Sequence, residues 1–504
     1  MAARNMTPPG APASAFPAIK TLPRNRALPA ACALLISALQ PLSPSAFSSA
    51  APDPAPMLAL YDRARADNSA HEFLEKLCDD NGGRMPGTAG RSGATAQIMR
   101  ELRALGYEPQ LDAFPMPGWL RGGNDRVEML APVARVLRAA AAAYTNPCKR
   151  FEAGVVALGK GREEDFAALP TSCAGEVGLV DADSGPTGQV ARRAAARGLR
   201  GVLFTDRING GQLLARTGSY KGEPLPVPAF SLTQEEGLWI GRLLARGVPV
   251  RVALQADSRG QPGTGNNIVL RIPGESAETI VVGAHADSWA LGQGAIDNGL
   301  GVAQLYAIAK NLRGMRLRRT VELVWFDGEE FGLWGSRHRA AITRAAPIAA
   351  MINLDMVGVP ASVNALGDDT SLPVLRAWVA ALGERAPARG AASVNWLGGD
   401  HTPFQLAGVR AITFDGPIPP EVVRYYHDFG DTIDKVSPAL VSDSAAPIAA
   451  LVWWLAQDDT LGVARRPDAA TRALFANFGD DSRGDALAVM MAELLPPAAL
   501  PATR

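Results

Sequence analysis

Ile280-Val281-Val282-Gly283-Ala284-His285-Ala286-Asp287 decides the fold: an apolar run that reads as a strand and delivers a histidine and a carboxylate where it stops. The same event recurs downstream. Val321-Glu322-Leu323-Val324-Trp325-Phe326 is followed by Glu329 and Glu330, and Met351-Ile352-Asn353-Leu354 runs into Asp355. Between these runs lie helical patterns at Gly299–Leu312, Leu333–Ile342 and Ser371–Leu382. Strand, loop and helix in alternation predict an α/β domain, a mainly parallel sheet with helices on both faces. Such sheets gather ligands at the carboxyl ends of their strands, which is where His285, Glu329, Glu330 and Asp355 fall.

Working outward, Asp297 stands in Gly294-Ala295-Ile296-Asp297-Asn298-Gly299 before a helical pattern, and His427 in Tyr425-Tyr426-His427-Asp428. His285, Asp297, Glu330, Asp355 and His427 together form a set of two imidazoles and three carboxylates that suits a pair of Zn²⁺ ions, with Co²⁺ or Mn²⁺ as substitutes. Two ions need one carboxylate that can serve both, and Asp297, central in the set, is expected to do so. His285 with Asp355 and Glu330 with His427 complete the two halves. Glu329, free beside a ligand, is the expected base for water held between the ions. Asp287 is expected to hold the His285 imidazole by its second ring nitrogen. Taken singly, each has an ordinary reading: Glu329-Glu330 as a solvated pair, His285 as a structural residue, Asp297 as a helix cap. Their coincidence at successive strand ends carries the inference. His-Glu-x-x-His, Gly-x-Ser-x-Gly and phosphate-binding loops are all missing from the sequence.

Of 504 residues, Lys+Arg and Asp+Glu number 50 each, and no long basic run appears, which argues against a nucleic-acid partner. Arg24 and Arg26, the apolar Ala27–Leu39 and small residues to Ala50 follow the order of a secretory signal, so residues 1–50 are expected to be removed on export to the periplasm or medium. No membrane span is expected in the mature chain. Cys32 would leave with the leader; among Cys78, Cys148 and Cys173 one disulfide, Cys148–Cys173 for instance, is allowed in an oxidising compartment, with the pairing open. Residues 51–145 are expected to begin the catalytic domain, 146–260 to form a smaller β-rich α/β module without histidine, 261–460 to hold the metal-type residues, and 461–504 to add a helical extension.

His285-Ala286-Asp287-Ser288-Trp289 with Gly292-Gln293-Gly294-Ala295-Ile296-Asp297 resembles the co-catalytic zinc aminopeptidase family, which includes bacterial leucyl aminopeptidases, glutamate carboxypeptidase and carboxypeptidase Q. Phe326-Asp327-Gly328-Glu329-Glu330-Phe331-Gly332, Asn353-Leu354-Asp355-Met356 and His427 with Asp431-Thr432 resemble its further motifs, over roughly 266–456. Trp289 with Gly292-Gln293-Gly294-Ala295 is most similar to carboxypeptidase Q and its bacterial relatives. The resemblance implies a mixed sheet, two zincs, a cis peptide bond after Asp297, and an exopeptidase acting on peptides or dipeptides, as an aminopeptidase or dipeptidase rather than a carboxypeptidase. It also implies that residues 146–260 are an inserted protease-associated-like domain. Gly398-Gly399-Asp400-His401-Thr402-Pro403-Phe404 resembles a loop of the family that borders the substrate, which makes Asp400 and His401 candidates for substrate binding. Tyr425 or Tyr426, beside His427, can donate to a developing oxyanion or pack in the core; Tyr426 is carried as the third substrate-binding candidate. Two other functions share this fold: a binding protein that has lost ligands, and a single-zinc cyclising acyltransferase. Composition does not fix the oligomeric state.

Overall fold

The computed structural model describes residues 51–478 and 484–495; the expected leader over 1–50 lies outside the described residues. The fold is α/β, and its main sheet is mixed. In spatial order it contains Gln110–Leu120, Arg259–Ile272, Arg319–Phe326, Ser276–His285, Ile348–Asn353, Ala411–Asp415, Ser362–Asn364 and Ala391–Ala392. The central strands Arg319–Phe326, Ser276–His285, Ile348–Asn353 and Ala411–Asp415 are parallel, whereas Gln110–Leu120 and Arg259–Ile272 run antiparallel.

Alternate residues of the central strands enter two different cores, which is why these strands read as unbroken apolar runs. Ile280, Val282, Leu323 and Trp325 face the helices Pro54–Arg65, Ser69–Asn81, Leu300–Leu312 and Pro438–Gln457. Val281, Val324 and Phe326 face the other side, with Phe404, Leu487 and Met490. Leu300–Leu312 is buried almost all round, so truncating Leu305 to Ala would cost about 2–5 kcal/mol. Pro438–Gln457 is long and apolar enough to cross a membrane, but it lies largely inside this core.

Register sets up the site. His285 lies beside Phe326 and Gly283 beside Asn353, so the chain just beyond each strand emerges at one carboxyl edge.

A second sheet, from residues 126–256, has the order Arg135–Val136, Arg126–Ala131, Arg251–Ala256, Cys148–Ala157, Val177–Val180, Gly201–Thr205, Ala229–Leu232 and Ala139–Ala141. The antiparallel pair Gln110–Leu120 and Arg259–Ile272 leads out to this module and back. Its first strands precede the boundary expected at 146. Arg126–Ala131 joins it by pairing with Arg251–Ala256, and Ala139–Ala141 by pairing with Ala229–Leu232, and such long-range pairing leaves no local pattern in the sequence. Cys78, Cys148 and Cys173 are all free thiols, so the allowed disulfide is not formed. Beyond 460 the chain forms the helices Asp468–Phe475 and Gly484–Leu494.

Candidate metal centre

The loop that follows Ser276–His285 is shaped by buried cations and carbonyls. Arg84 is fully buried and donates from Nε to the Ala286 carbonyl at 2.9 Å, from Nη2 to that of Gly294 at 2.8 Å, and from Nη1 to that of Gln293. One guanidinium thereby fixes both ends of 286–294. Gly294 turns at φ +62°, where an added Cβ would lie 2.3 Å from the Cβ of Ser288, so only glycine fits there. The chain then makes one widened turn over Ala295–Gly299, with a cis bond between Asp297 and Asn298, before Leu300–Leu312 begins. Asp431 accepts from the N–H groups of Ile296 at 2.6 Å and Asp297 at 3.1 Å. Asn298 donates to the Leu354 carbonyl at 2.9 Å and accepts from Met356 N–H at 3.2 Å, which ties the Asp297 turn to the Asp355 turn.

These loops bring the five expected metal-type residues together. Asp297 Oδ1 lies 3.1 Å from His285 Nε2, which is itself 3.6 Å from Asp355 Oδ1. Asp297 Oδ2 lies 3.0 Å from His427 Nε2, which is 3.0 Å from Glu330 Oε2. One buried carboxylate thus stands between two imidazole–carboxylate pairs.

The ring nitrogens test whether cations fit here. His285 Nδ1 faces the Asp287 carbonyl at 3.0 Å, and His427 Nδ1 faces the Ala215 carbonyl at 3.3 Å. A carbonyl can only accept, so each Nδ1 carries the proton, and in a neutral ring Nε2 presents a lone pair. Both lone pairs then point at carboxylate oxygens. That arrangement is repulsive unless a cation lies between or the rings are protonated. Glu330 Oε1 is likewise buried without a hydrogen-bond partner. The donor set of two imidazoles and three carboxylates suits zinc.

Without a cation, the same contacts favour the other alternative, protonated rings. Burial pushes the Asp297 carboxyl up, yet hydrogen bonds with His285 and His427 bring it below the usual carboxylate range. Burial pushes Glu330 up to about 7. Burial pulls His427 down, but Glu330 and Asp297 outweigh it and raise the ring to about 10.

The remaining candidates separate. Asp287 does not grip the His285 ring with its carboxylate, which lies 3.7 Å from Nδ1; that bond is made by its main-chain carbonyl. The carboxylate instead accepts from the N–H groups of Glu329 and Glu330, both at 3.2 Å, and so sets the turn that carries them. Glu329, Glu330, Tyr426 and His427 line one cleft with a cavity volume of about 100 Å³. Tyr426 stacks on His427 with ring centroids 3.6 Å apart, while Tyr425 packs against the main core beneath Lys435. Asp400 and His401 are completely buried and do not line the cleft. His401 Nε2 lies 3.1 Å from the Trp396 carbonyl, and burial pushes Asp400 up to about 7. The loop reaches the cleft through Leu397 and Gly398 instead.

Three supports leave no signal in the sequence. Arg84 lies in Gly82-Gly83-Arg84-Met85-Pro86-Gly87, whose composition marks a turn and no role. Ala215 offers a carbonyl, which no side-chain pattern reveals. It also donates its N–H to the His427 carbonyl at 2.9 Å, holding His427 at φ +58°, a backbone region that few residues other than glycine adopt. Asp431 belongs to a motif that by itself gives it no role.

Residues 267–452 match the model for peptidase family M28. This M28 stretch contains His285, Asp297, Glu329, Glu330, Asp355 and His427. Over longer spans the chain is 24% identical to aminopeptidase YwaD of Bacillus subtilis, across 76% of this chain and 84% of that protein. It is 27% identical to the probable lipoprotein aminopeptidase LpqL of Mycobacterium tuberculosis, across 80% and 87% respectively. Leucine aminopeptidase 2 of Trichophyton rubrum is 26% identical, with 56% of this chain spanning 57% of that protein. Among solved structures, the peptidase M28 precursor from Shewanella amazonensis superposes with a TM-score of 0.71 at 22% identity, over 82% of this chain and 99% of that one. The zinc aminopeptidase BSAP from Bacillus subtilis gives 0.62 at 21% identity, over 79% and 96%. These two likenesses show the fold.

Proposed function

We propose that this chain is a di-zinc exopeptidase of the M28 type that cleaves peptides from a free amino terminus. The observation that carries the reading is the Asp297 carboxylate, with one oxygen 3.1 Å from His285 Nε2 and the other 3.0 Å from His427 Nε2. His285 and Asp355 would hold one ion, His427 and Glu330 the other, and Asp297 both. When bound, the ions supply Lewis acidity, which polarises a carbonyl and makes water more acidic.

The side chains around them divide the remaining work. Glu329, at the cleft, takes a proton from the attacking water and returns it to the leaving amine. Asp287 fixes the turn bearing Glu329 through its two N–H contacts. Tyr426, lining the cleft beside His427, donates to the oxyanion as it develops. The module at 126–256 acts as a protease-associated-like domain that narrows access, in the manner of carboxypeptidase Q-like proteins. The aminopeptidase names of the relatives support action from the amino end, and the lipoprotein relative accords with export.

Metal content of the purified mature chain, paired with hydrolysis of a free dipeptide and its N-acetylated twin, tests the proposal. Two zincs per chain with cleavage of only the free dipeptide is the expected result. Two zincs with neither peptide cleaved would remove the peptidase reading, and a single zinc would favour the cyclising acyltransferase.

A further inference from the structure

The cleft beside Glu329 has two ends of opposite chemistry. Glu329, Glu330, Tyr426 and His427 make one end. The other is apolar, where Leu333 and Leu397 meet Ala486, Leu487 and Met490 of the helix Gly484–Leu494, with Tyr220 of the inserted module at the rim. That helix lies outside the M28 stretch, which ends at 452.

The helix is fastened at a defined place. Its inner side chains Leu487, Met490 and Leu494 are nearly completely buried and join the core that includes Phe326 and Phe404. Arg337, buried under this helix, donates from Nε to Glu493 Oε2 at 2.9 Å and makes a second bond to Oε1 through Nη2. Its Nη1 also donates to the carbonyls of Tyr220 and Gly332, both at 3.2 Å, and its guanidinium lies 4.0 Å from the Trp334 ring centroid. A single side chain therefore aligns the C-terminal helix, the rim of the module and the turn that follows Glu330. The apolar wall stands in fixed relation to the reacting end.

Resting on the peptidase reading above, we propose that Leu487 and Met490 determine which side chain the enzyme accepts next to the scissile bond. The apolar end belongs to the same cleft as Glu329 and Glu330, so the side chain of a residue held at those carboxylates can reach it. No Lys, Arg, Asp or Glu lines that end among the described residues, so a charged side chain would be desolvated there without a partner. An aliphatic side chain of leucine or methionine size fills it and displaces water from apolar surface. Leu487 and Met490 act on binding and take no part in the chemistry.

The test uses the zinc-loaded enzyme with leucyl, alanyl and lysyl 4-nitroanilides. The leucyl substrate should exceed the alanyl one in kcat/KM by on the order of tenfold or more, and the lysyl one by a larger factor. Leu487→Ala should cut the leucyl-to-alanyl ratio about tenfold, mainly through a higher KM for the leucyl substrate. Ala486→Leu should cut it too, by occupying the space. Met490→Glu should raise lysyl cleavage relative to leucyl, a gain that loss of structure would not produce. Melting temperature and zinc content are read for every variant; if Leu487→Ala does not fold, Ala486→Leu, which opens no void, decides alone. Unchanged ratios in folded, zinc-loaded variants would overturn the role of the helix and leave the peptidase reading intact. If the wild-type enzyme cleaves the free dipeptide but prefers the lysyl anilide, this inference alone fails. If it cleaves no dipeptide and no anilide, the peptidase reading fails first.

Discussion

His285 and His427 are oriented by the same kind of bond from very different distances along the chain. His285 Nδ1 meets the carbonyl of Asp287, two residues away on its own loop, whereas His427 Nδ1 meets that of Ala215, 212 residues away in the inserted module. The first half of the site is therefore assembled within the main sheet and the segments packed on it. The second depends on how the module docks, since Leu213 N–H also donates to the Asp428 carboxylate and Gln212 to the Arg424 carbonyl at 3.0 Å. The difference teaches that the module is a structural part of the centre although it offers no ligand side chain.

Glu329→Gln should spare both halves and still lose turnover. We expect kcat to fall by on the order of 10³ while zinc content stays at the wild-type level. Near-normal turnover in this variant would remove Glu329 from the role of base. Asp297→Ala attacks what the halves share, and affinity at both positions should drop by more than about 100-fold together. Loss of one ion alone, read by metal titration, would sink the bridging assignment.

Two further variants separate the halves. Arg84→Met strips three carbonyls of 286–294 of their common donor, so affinity should weaken by about 10–100-fold on the side of His285. Asp428→Ala releases Leu213 and should weaken the side of His427 by roughly tenfold, leaving the other almost unaffected. Equal effects of both variants on both ions would show that the halves are not independently supported.

The smallest effect concerns stability without metal. Glu330 is raised from 4.5 to about 7 in the folded chain, so folding favours its protonated form and that contribution is lost as pH rises through about 7. His427 is raised from 6.5 to about 10, and its contribution is full below 6.5 and fades toward 10. Both act in one direction: the chelated protein should melt several degrees lower at pH 8.5 than at pH 6, whereas the zinc-loaded protein should change less. A chelated protein that melts higher at pH 8.5 would contradict this account of the cluster.

His285, Glu330 and Asp355 were legible because each follows a short apolar run that marks its own strand, whereas Asp297 stands in a glycine-bordered turn and His427 after a tyrosine pair, and neither follows a strand. His285 after Ile280–Ala284 and Asp355 after Met351–Leu354 need no knowledge of the rest of the chain. The choice between Tyr425 and Tyr426 was not legible, because adjacent residues share composition and only packing turns one toward the cleft. Asp400 and His401 stood in a motif that suggested substrate contact, yet the helix His401–Leu406 buries both and leaves Leu397 and Gly398 at the surface of the cleft.

By itself the sequence determined the alternation of strands and helices and the side chains that converge at the strand ends, since periodicity and strand termini are local properties. Tertiary structure alone decided that 126–141 belongs to the second sheet, that Ala215 orients His427, that Arg84 secures the metal loop and that Gly484–Leu494 walls the cleft. Each of these joins segments far apart in the chain through backbone groups or ordinary apolar and basic side chains, whose partners are chosen only when the whole molecule packs.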